Sequence, residues 1–278
     1  MEFNGPEWHA PTTLDAALAM RAELQDEATV VAGGTFVGTL MNIGFMAPAA
    51  LLSLRGVPGL AYIRADGELR IGPMTTHRAI ELSPEIRRHW PALAQAFSVV
   101  ASPRVRNMAT VGGVLADADY ASDPPAMFLA LGARAVLRGP RGEREVPVED
   151  FILGYYETAL APDELLTEVR VPAGGEAGVY RKFRTRSSED RPCVSVAAVN
   201  RGGELRVAVG AVASRPQYFP EVCALARGRR VDADLAREIG EAYAQRIDPI
   251  SDSRGSSEYR RRVIAVEVRR ALEELYHG

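Results

Sequence analysis

Apolar residues recur along the first part of the chain with the spacings of short helices and short strands in turn. Leu14 and Leu18, with alanines between them, follow Thr12 and predict a short capped helix. The β-branched run at residues 28–32 predicts a strand that ends at two glycines. Helical spacing then returns at Phe36, Val37, Leu40 and Met41. The pattern predicts a compact unit of strand, glycine corner and helix.

Strand-like and helical patterns both continue to occur up to about residue 172. Further short segments are predicted as strands at 51–54, 68–72, 133–138 and 143–148, and as a helix at 91–100. The dipeptide Asp66-Gly67 and the tetrapeptide "GPRG" provide the turn residues between strands. This part of the chain is therefore predicted to be a mixed α and β region.

The composition changes after the segment "PAGGEAG" at residues 172–178. Three strands are predicted as a meander at 179–185, 194–200 and 205–211, followed by two helices. The last helix, at 257–276, has one apolar stripe, and glutamates balance its arginines, which favours a solvated face over an RNA-binding one. We therefore predict two domains, 1–172 and 173–278.

Composition excludes several classes of function. The chain has 278 residues, 47% of them hydrophobic, and a net charge of −3, so it has no basic field for nucleic acid or an anionic membrane. Residues 1–10 lack the features of a signal peptide, and no segment has the length of a membrane span, so a cytoplasmic location is expected. Cys193 and Cys223 are predicted to be reduced thiols. The four histidines are scattered, and no metal site is expected.

The corner "VVAGGTFV" at residues 30–37 is the first candidate for chemistry. A strand that ends in glycines before a helix start presents free backbone N–H groups, and these suit a phosphate. The alternative is an ordinary tight turn. A second corner has the same pattern at Thr110, Val111, Gly112 and Gly113. Two facing corners could surround a pyrophosphate with N–H donors and without basic side chains.

Asp123 follows the second corner by ten residues. A carboxylate is repelled by a pyrophosphate, so in the same site it is expected to accept hydrogen bonds from sugar-type hydroxyls. Its alternative role is the N-cap of the helix that starts at Pro124. Asp117 and Asp119 are interpreted as loop carboxylates, with metal coordination as the weaker option.

These motifs, in this order, resemble one known family. The segments are "VVAGGTFVGTLM", "SPRVRNMATVGGVLADADYASDPPAMFLALGA", "LAPDELLTEVRVP", "YRKFRTRSSED" and "SDSRGSSEYRRRV". They are similar to the FAD-binding medium subunit of molybdenum hydroxylases, which include aerobic carbon monoxide dehydrogenase and xanthine dehydrogenase. The resemblance implies an α+β fold: a two-lobed PCMH-type FAD-binding domain, whose lobes divide near residue 55, followed by a smaller α+β domain of the CO dehydrogenase flavoprotein type.

The resemblance also implies which residues bind FAD. The first corner would hold the pyrophosphate from one lobe and the second corner from the other, while Asp123 would bind FAD hydroxyls. Val100, Ala101, the backbone of Leu166 and Lys182 would lie near the flavin. The full predicted set is Val30, Val31, Ala32, Gly33, Gly34, Thr35, Phe36, Val37, Val100, Ala101, Thr110, Val111, Gly112, Gly113, Val114, Asp123, Leu166 and Lys182. Val114 and Asp117 depart from the family pattern, in which Ser or Asn and His are frequent at these positions.

The implied function is electron transfer. A large molybdopterin subunit would oxidise the substrate and a small subunit with two [2Fe-2S] clusters would pass electrons to this FAD, in a dimer of heterotrimers. The chain would then reduce an external acceptor, with no catalytic residue of its own. Two alternatives are a free-standing FAD-dependent oxidoreductase of the same fold and a flavin-free scaffold. The two glycine corners, Asp123 and Lys182 argue against the scaffold.

Overall fold

The computed structural model describes residues 5–173 and 177–277. The predicted domain boundary near residue 173 falls beside residues 174–176, which lie outside the described residues. The strands are β1 (Glu7–His9), β2 (Ala28–Val31), β3 (Ala50–Ser53), β4 (Ile63–Asp66), β5 (Glu68–Ile71), β6 (Arg134–Gly139), β7 (Gly142–Pro147), β8 (Ile152–Gly154), β9 (Glu157–Thr158), β10 (Leu165–Val171), β11 (Ala177–Phe183), β12 (Val194–Arg201), β13 (Glu204–Gly210) and β14 (Gln217–Tyr218).

The helices are mostly short before residue 220 and longer after it. They are α1 (Leu14–Leu24), α2 (Val37–Asn42), α3 (His77–Leu82), α4 (Pro84–His89), α5 (Pro91–Ser98), α6 (Pro103–Arg106), α7 (Val111–Ala116), α8 (Pro124–Ala130), α9 (Val148–Phe151), α10 (Pro220–Cys223), α11 (Ala233–Arg246) and α12 (Ser257–His277). Among the described residues, none of these helices combines the length and apolar character needed to cross a bilayer.

Residues 5–53 build a small lobe around a parallel three-stranded sheet of order β1-β3-β2. Helix α1 covers it, and its N-cap is Thr13, whose Oγ1 accepts a hydrogen bond from the Ala16 amide at 3.1 Å. The predicted cap at Thr12 is therefore wrong by one residue, because only the side chain at position 13 reaches the free amide.

A second lobe is built on an antiparallel five-stranded sheet of order β4-β5-β10-β6-β7, which starts at Ile63. The β4–β5 hairpin turns at Gly67, which has φ +76°. Strand β10 lies at the centre, and it pairs with β5 on one side and β6 on the other. Helices α3, α5 and α8 cover this sheet, and they share one large apolar core with it.

Residues 177–218 form the predicted meander, an antiparallel sheet of order β11-β12-β13-β14. Both faces of β12 are buried: Ala197 and Val199 pack toward α5 and α8, whereas Val196 and Ala198 pack toward α11 and α12. Such a strand has a continuous apolar sequence because neither face meets water. The second lobe and the meander therefore form successive layers in the order sheet, helices, sheet, helices.

Two arginines of this meander hold the C-terminal end of α8. The Arg206 Nε donates to the Ala130 carbonyl at 3.0 Å, and an Nη atom of Arg201 donates to the Leu131 carbonyl at 3.3 Å. Cationic side chains are favourable there because the last carbonyls of a helix lack intrahelical donors. The contact fixes α8, and with it Asp123 at its start, against the meander.

Candidate functional site

One large cleft, with a volume of about 1080 Å³, lies where the small lobe faces the rest of the molecule. Its walls include the loop between β2 and α2, the segment around α7, residues of β10 and Lys182 of β11. Typical small-molecule pockets have volumes of about 300–1,000 Å³. The cleft is therefore large enough for an extended ligand such as a dinucleotide.

The first glycine corner gives this cleft a row of free donors. Residues 33–37 line the cleft, and none of their backbone amides donates a hydrogen bond to another described residue. Gly34 has φ +72°, a conformation that costs little only without a Cβ. Because α2 has only six residues, the separate amides, rather than a helix dipole, make this loop suitable for an anion.

The two corners are in direct contact. A Cβ added to Gly33 would lie 2.0 Å from the Met108 carbonyl oxygen, which is far inside the contact distance. A Cβ on Gly113 would lie 3.8 Å from the Ala32 Cβ, so the second corner faces the first. The predicted meeting of the two corners is thus present in the structure, and it requires glycine at position 33.

The second corner differs from the prediction in its amides. Gly112 donates to the Pro73 carbonyl at 2.8 Å, and Val111 donates to the Thr75 carbonyl at 2.9 Å. The Gly113 amide donates to Oγ1 of Thr110, the N-cap of α7, at 3.1 Å. The expectation of free N–H groups at both corners is therefore wrong for these three, because α7 is capped and its first turn is paired with the 73–75 segment.

Most of the predicted residues share the cleft. Its walls contain all of them except Val31 and Val111. Val31 packs with Val37 and Leu51 in the small lobe, and Val111 is fully buried in the large core. Both side chains therefore support the corners through the core and do not face the cleft. Each lies at the end of a strand or the start of a helix, where a β-branched side chain packs against the core.

Asp123 and Lys182 form a buried ion pair in the cleft wall. The Lys182 Nζ donates to Asp123 Oδ2 at 2.8 Å and to the Val99 carbonyl at 2.9 Å. The Tyr180 hydroxyl donates to Asp123 Oδ1 at 2.7 Å. Asp123 occupies the N-cap position of α8, but its side chain makes no capping bond, so the expected capping bond is absent. Burial raises the pKa of the Asp123 carboxyl, and the Lys182 charge opposes that shift.

His77 is a buried polar residue of the same wall. Its Nε2 lies 3.2 Å from the Thr110 carbonyl oxygen, and its ring meets Phe97 edge-on at 4.8 Å. Burial lowers the pKa of His77 to about 4, so the imidazole is neutral at physiological pH. Its Nδ1 is buried without a partner among the described residues. His77 therefore ties α3 to the second corner as a neutral donor.

The mouth of the cleft has a cluster of charges. Asp119 is buried, and its Oδ2 lies 2.6 Å from an Nη atom of the half-exposed Arg191. Burial, with the neighbouring charge of Asp119, raises the pKa of Asp117 to about 7, while Arg191 opposes the shift. Tyr156 stacks on Phe36 with ring centroids 5.8 Å apart. No group of three potential metal ligands occurs within the described ranges.

Sequence reasoning did not find four residues of this region: His77, Tyr156, Tyr180 and Arg191. His77 contacts a residue 33 positions away, and Tyr180 contacts one 57 positions away, so no local spacing indicates either contact. Tyr156 has φ +57°, which an isolated tyrosine in a sequence does not indicate. Only the fold brings His77, Tyr156 and Arg191 to the cleft and Tyr180 to Asp123 in its wall.

Comparison with family models gives two matches that together span most of the chain. Residues 1–174 match "FAD binding domain in molybdopterin dehydrogenase", and residues 178–275 match "CO dehydrogenase flavoprotein C-terminal domain". The nicotine 6-hydroxylase medium subunit of Paenarthrobacter nicotinovorans is 31% identical, over 99% of this chain and 98% of the relative. The carbon monoxide dehydrogenase medium chain of Hydrogenophaga pseudoflava is 30% identical, over 96% and 95%.

Solved structures agree with these matches. A chain of carbon monoxide dehydrogenase from Hydrogenophaga pseudoflava superposes with a TM-score of 0.94 at 31% identity, and the match covers 99% of both chains. A chain of quinoline 2-oxidoreductase from Pseudomonas putida 86 superposes with a TM-score of 0.92 at 28% identity, covering 100% of this chain and 99% of that one. The similarity extends over the whole length, including the cleft.

Proposed function

Because this chain belongs to the family of FAD-binding medium subunits of the molybdenum hydroxylases, we propose that it carries electrons from [2Fe-2S] clusters of a partner subunit to an external acceptor. It is an oxidoreductase subunit, and its cofactor is FAD. The names "medium chain" and "medium subunit" among its relatives imply a complex of several subunits. We propose that the partners are a large molybdopterin subunit and a small iron–sulfur subunit, in a dimer of heterotrimers.

The observation that supports FAD binding best is the row of free amides at residues 33–37 beside a cleft of about 1080 Å³. Donors of this kind suit a pyrophosphate without any basic side chain. We propose that these amides hold the pyrophosphate and that the second corner closes the site from the other lobe. The other predicted residues of the wall would contact the rest of the cofactor, with Val31 and Val111 supporting from beneath.

Bound FAD would supply the ability to accept one or two electrons, which suits a junction between an oxidation site and an acceptor. The chain's own residues would bind and orient it. Lys182 would bring a fixed positive charge to the wall, and Asp123 would keep that charge in place. Neutral His77 would hold the second corner through Thr110.

Two further proposals concern organisation and location. We propose a domain boundary at residue 172, supported by the separate sheets on either side of it. We also propose a cytoplasmic location, supported by Cys193 and Cys223, which are both buried free thiols.

The visible spectrum of the purified protein tests the cofactor, and co-expression with the neighbouring gene products tests the electron path. A yellow protein whose flavin is bleached by substrate only when both partners are present would support the proposal. A colourless protein that ignores added FAD would contradict it. Reduction by substrate in the isolated chain would instead favour the free-standing oxidoreductase.

A further inference from the structure

We propose that Tyr180 is a positioning residue for the flavin site, which acts through Asp123 to fix the Lys182 ammonium in the cleft wall. The inference rests on the proposed FAD site. Tyr180 is buried, does not line the cleft, and belongs to the large apolar core. Any effect of its hydroxyl on the cofactor therefore has to pass through the residues that it contacts.

The contacts divide the Asp123 carboxylate between two donors. Oδ1 accepts from the Tyr180 hydroxyl at 2.7 Å, and Oδ2 accepts from Lys182 at 2.8 Å. Tyr180 and Lys182 are two positions apart on β11, so they extend from the same face of one strand. The strand thus delivers both donors to a single carboxylate 57 to 59 positions earlier in the chain.

The Tyr180 hydroxyl is suited to this task because it stays protonated. Burial and the neighbouring Asp123 charge raise the pKa of the Tyr180 phenol well above its usual value. Without that hydroxyl, Oδ1 would lose its donor in a buried site. The carboxylate would then rotate toward Lys182 to satisfy both oxygens, because an unmet acceptor in a low-dielectric interior is costly.

Such a rotation would displace the ammonium. Lys182 has three N–H donors, and two of them are held by Asp123 and the Val99 carbonyl. The third has no partner among the described residues, and Lys182 lines the cleft. A fixed positive charge beside the flavin favours its reduced, more electron-rich form. Tyr180 would therefore raise the midpoint potential of the bound flavin without touching it.

The test compares Tyr180→Phe, Lys182→Met and the double variant in the FAD-loaded protein by spectroelectrochemical titration. We expect a lower midpoint potential in Tyr180→Phe and a still lower one in Lys182→Met, with the double variant equal to Lys182→Met. The FAD dissociation constant of Tyr180→Phe should rise by up to about tenfold. Tyr243→Phe is the matched control, because Tyr243 is equally buried but donates to the Val207 carbonyl in a separate core.

An unchanged midpoint potential in Tyr180→Phe would overturn the inference. It would also be overturned if Tyr180→Phe lowered the potential of Lys182→Met as much as it lowers that of the wild type. If Tyr180→Phe does not fold, Tyr180→Met replaces it, because a flexible apolar side chain can fill the core position without donating to Asp123. An unchanged potential there would also overturn the inference. The proposed electron path fails separately, if the wild-type flavin in the assembled complex is not reduced by substrate.

Discussion

Gly33 and Met108 are in van der Waals contact, although 75 positions separate them, and this contact holds the segment just before the second glycine corner against the first corner. The space between them has no room for a side chain, since a Cβ on Gly33 would lie 2.0 Å from the Met108 carbonyl oxygen. The obstacle is backbone rather than a flexible side chain. The second corner can therefore lie against the first only if residue 33 has no Cβ.

Gly33→Ala is expected to lose bound FAD, because the added methyl pushes the 108–109 backbone away from the first corner. Destabilisation of about 1–3 kcal/mol should accompany the loss. Gly38→Ala is the matched control, since a Cβ there meets no atom within 4 Å. Flavin absorbance per protein and thermal melting measure both effects. Full flavin content in Gly33→Ala would contradict the clamp.

Lys182→Met should strongly destabilise the apoprotein. The Asp123 carboxylate would remain buried without its counter-ion, which typically costs about 3–5 kcal/mol. The double variant with Asp123→Asn should recover part of that loss, because no uncompensated charge is left. Arg262→Met is the control, because its partner Glu258 and Arg262 itself are about three-quarters exposed and such pairs contribute about 0–1 kcal/mol. Urea unfolding gives the free energies, and an additive double variant would contradict the pairing.

His77 should make the protein less stable in acid. Its folded pKa of about 4 lies below the usual 6.5, so between these values the unfolded chain binds a proton that the folded chain does not. The free energy of unfolding then falls as pH decreases through this window, by up to about 1.4 kcal/mol per pH unit. His77→Gln can still donate to the Thr110 carbonyl without titrating, and its decline should be shallower. Exposed His89→Gln should follow the wild type.

Asp117 should have the opposite dependence. Its folded pKa of about 7 is above the usual 3.8, so the folded chain retains a proton that the unfolded chain has lost. Stability therefore decreases as pH rises from about 4 to 7 and stays lowered above it. Asp117→Asn is expected to gain about 1–2 kcal/mol at pH 8 and nothing near pH 4. Melting curves of Asp117→Asn at pH 4 and pH 8 measure this gain, with exposed Asp66→Asn as the control. An equal gain in stability at both pH values would contradict the raised pKa of Asp117.

The sequence predicted those elements whose signals are local. The hairpin predicted at 133–138 and 143–148 is found as β6 and β7, and the α+β class is confirmed by the family matches. Turn residues and apolar alternation lie within a few positions of each other, so no tertiary information is needed. The final helix is confirmed for the same reason, as its apolar stripe repeats over five turns.

Other elements have no strong local pattern. Strand β1 has three residues and, within the described part of the chain, pairs with β3 alone, and α3 and α4 have six residues each. The pairing of Asp123 with Lys182 and the occupied amides of the second corner are likewise tertiary. The motif order could indicate that these residues belong together, but not that the two charged residues bind each other.

The central position of β10 has a consequence for biosynthesis. Strands β5 and β6 both leave the ribosome before β10, but they are joined in the sheet through β10, which is made last of the five. The sheet therefore cannot close until residue 171 is available, and the meander that carries Lys182 follows later still. Nonlocal pairing of this kind folds slowly. A nascent chain thus acquires its cofactor cleft only after Arg191, the last residue of the cleft wall, has been made, and a ribosome-bound fragment that ends before β11 would expose the half-built cleft to chaperones.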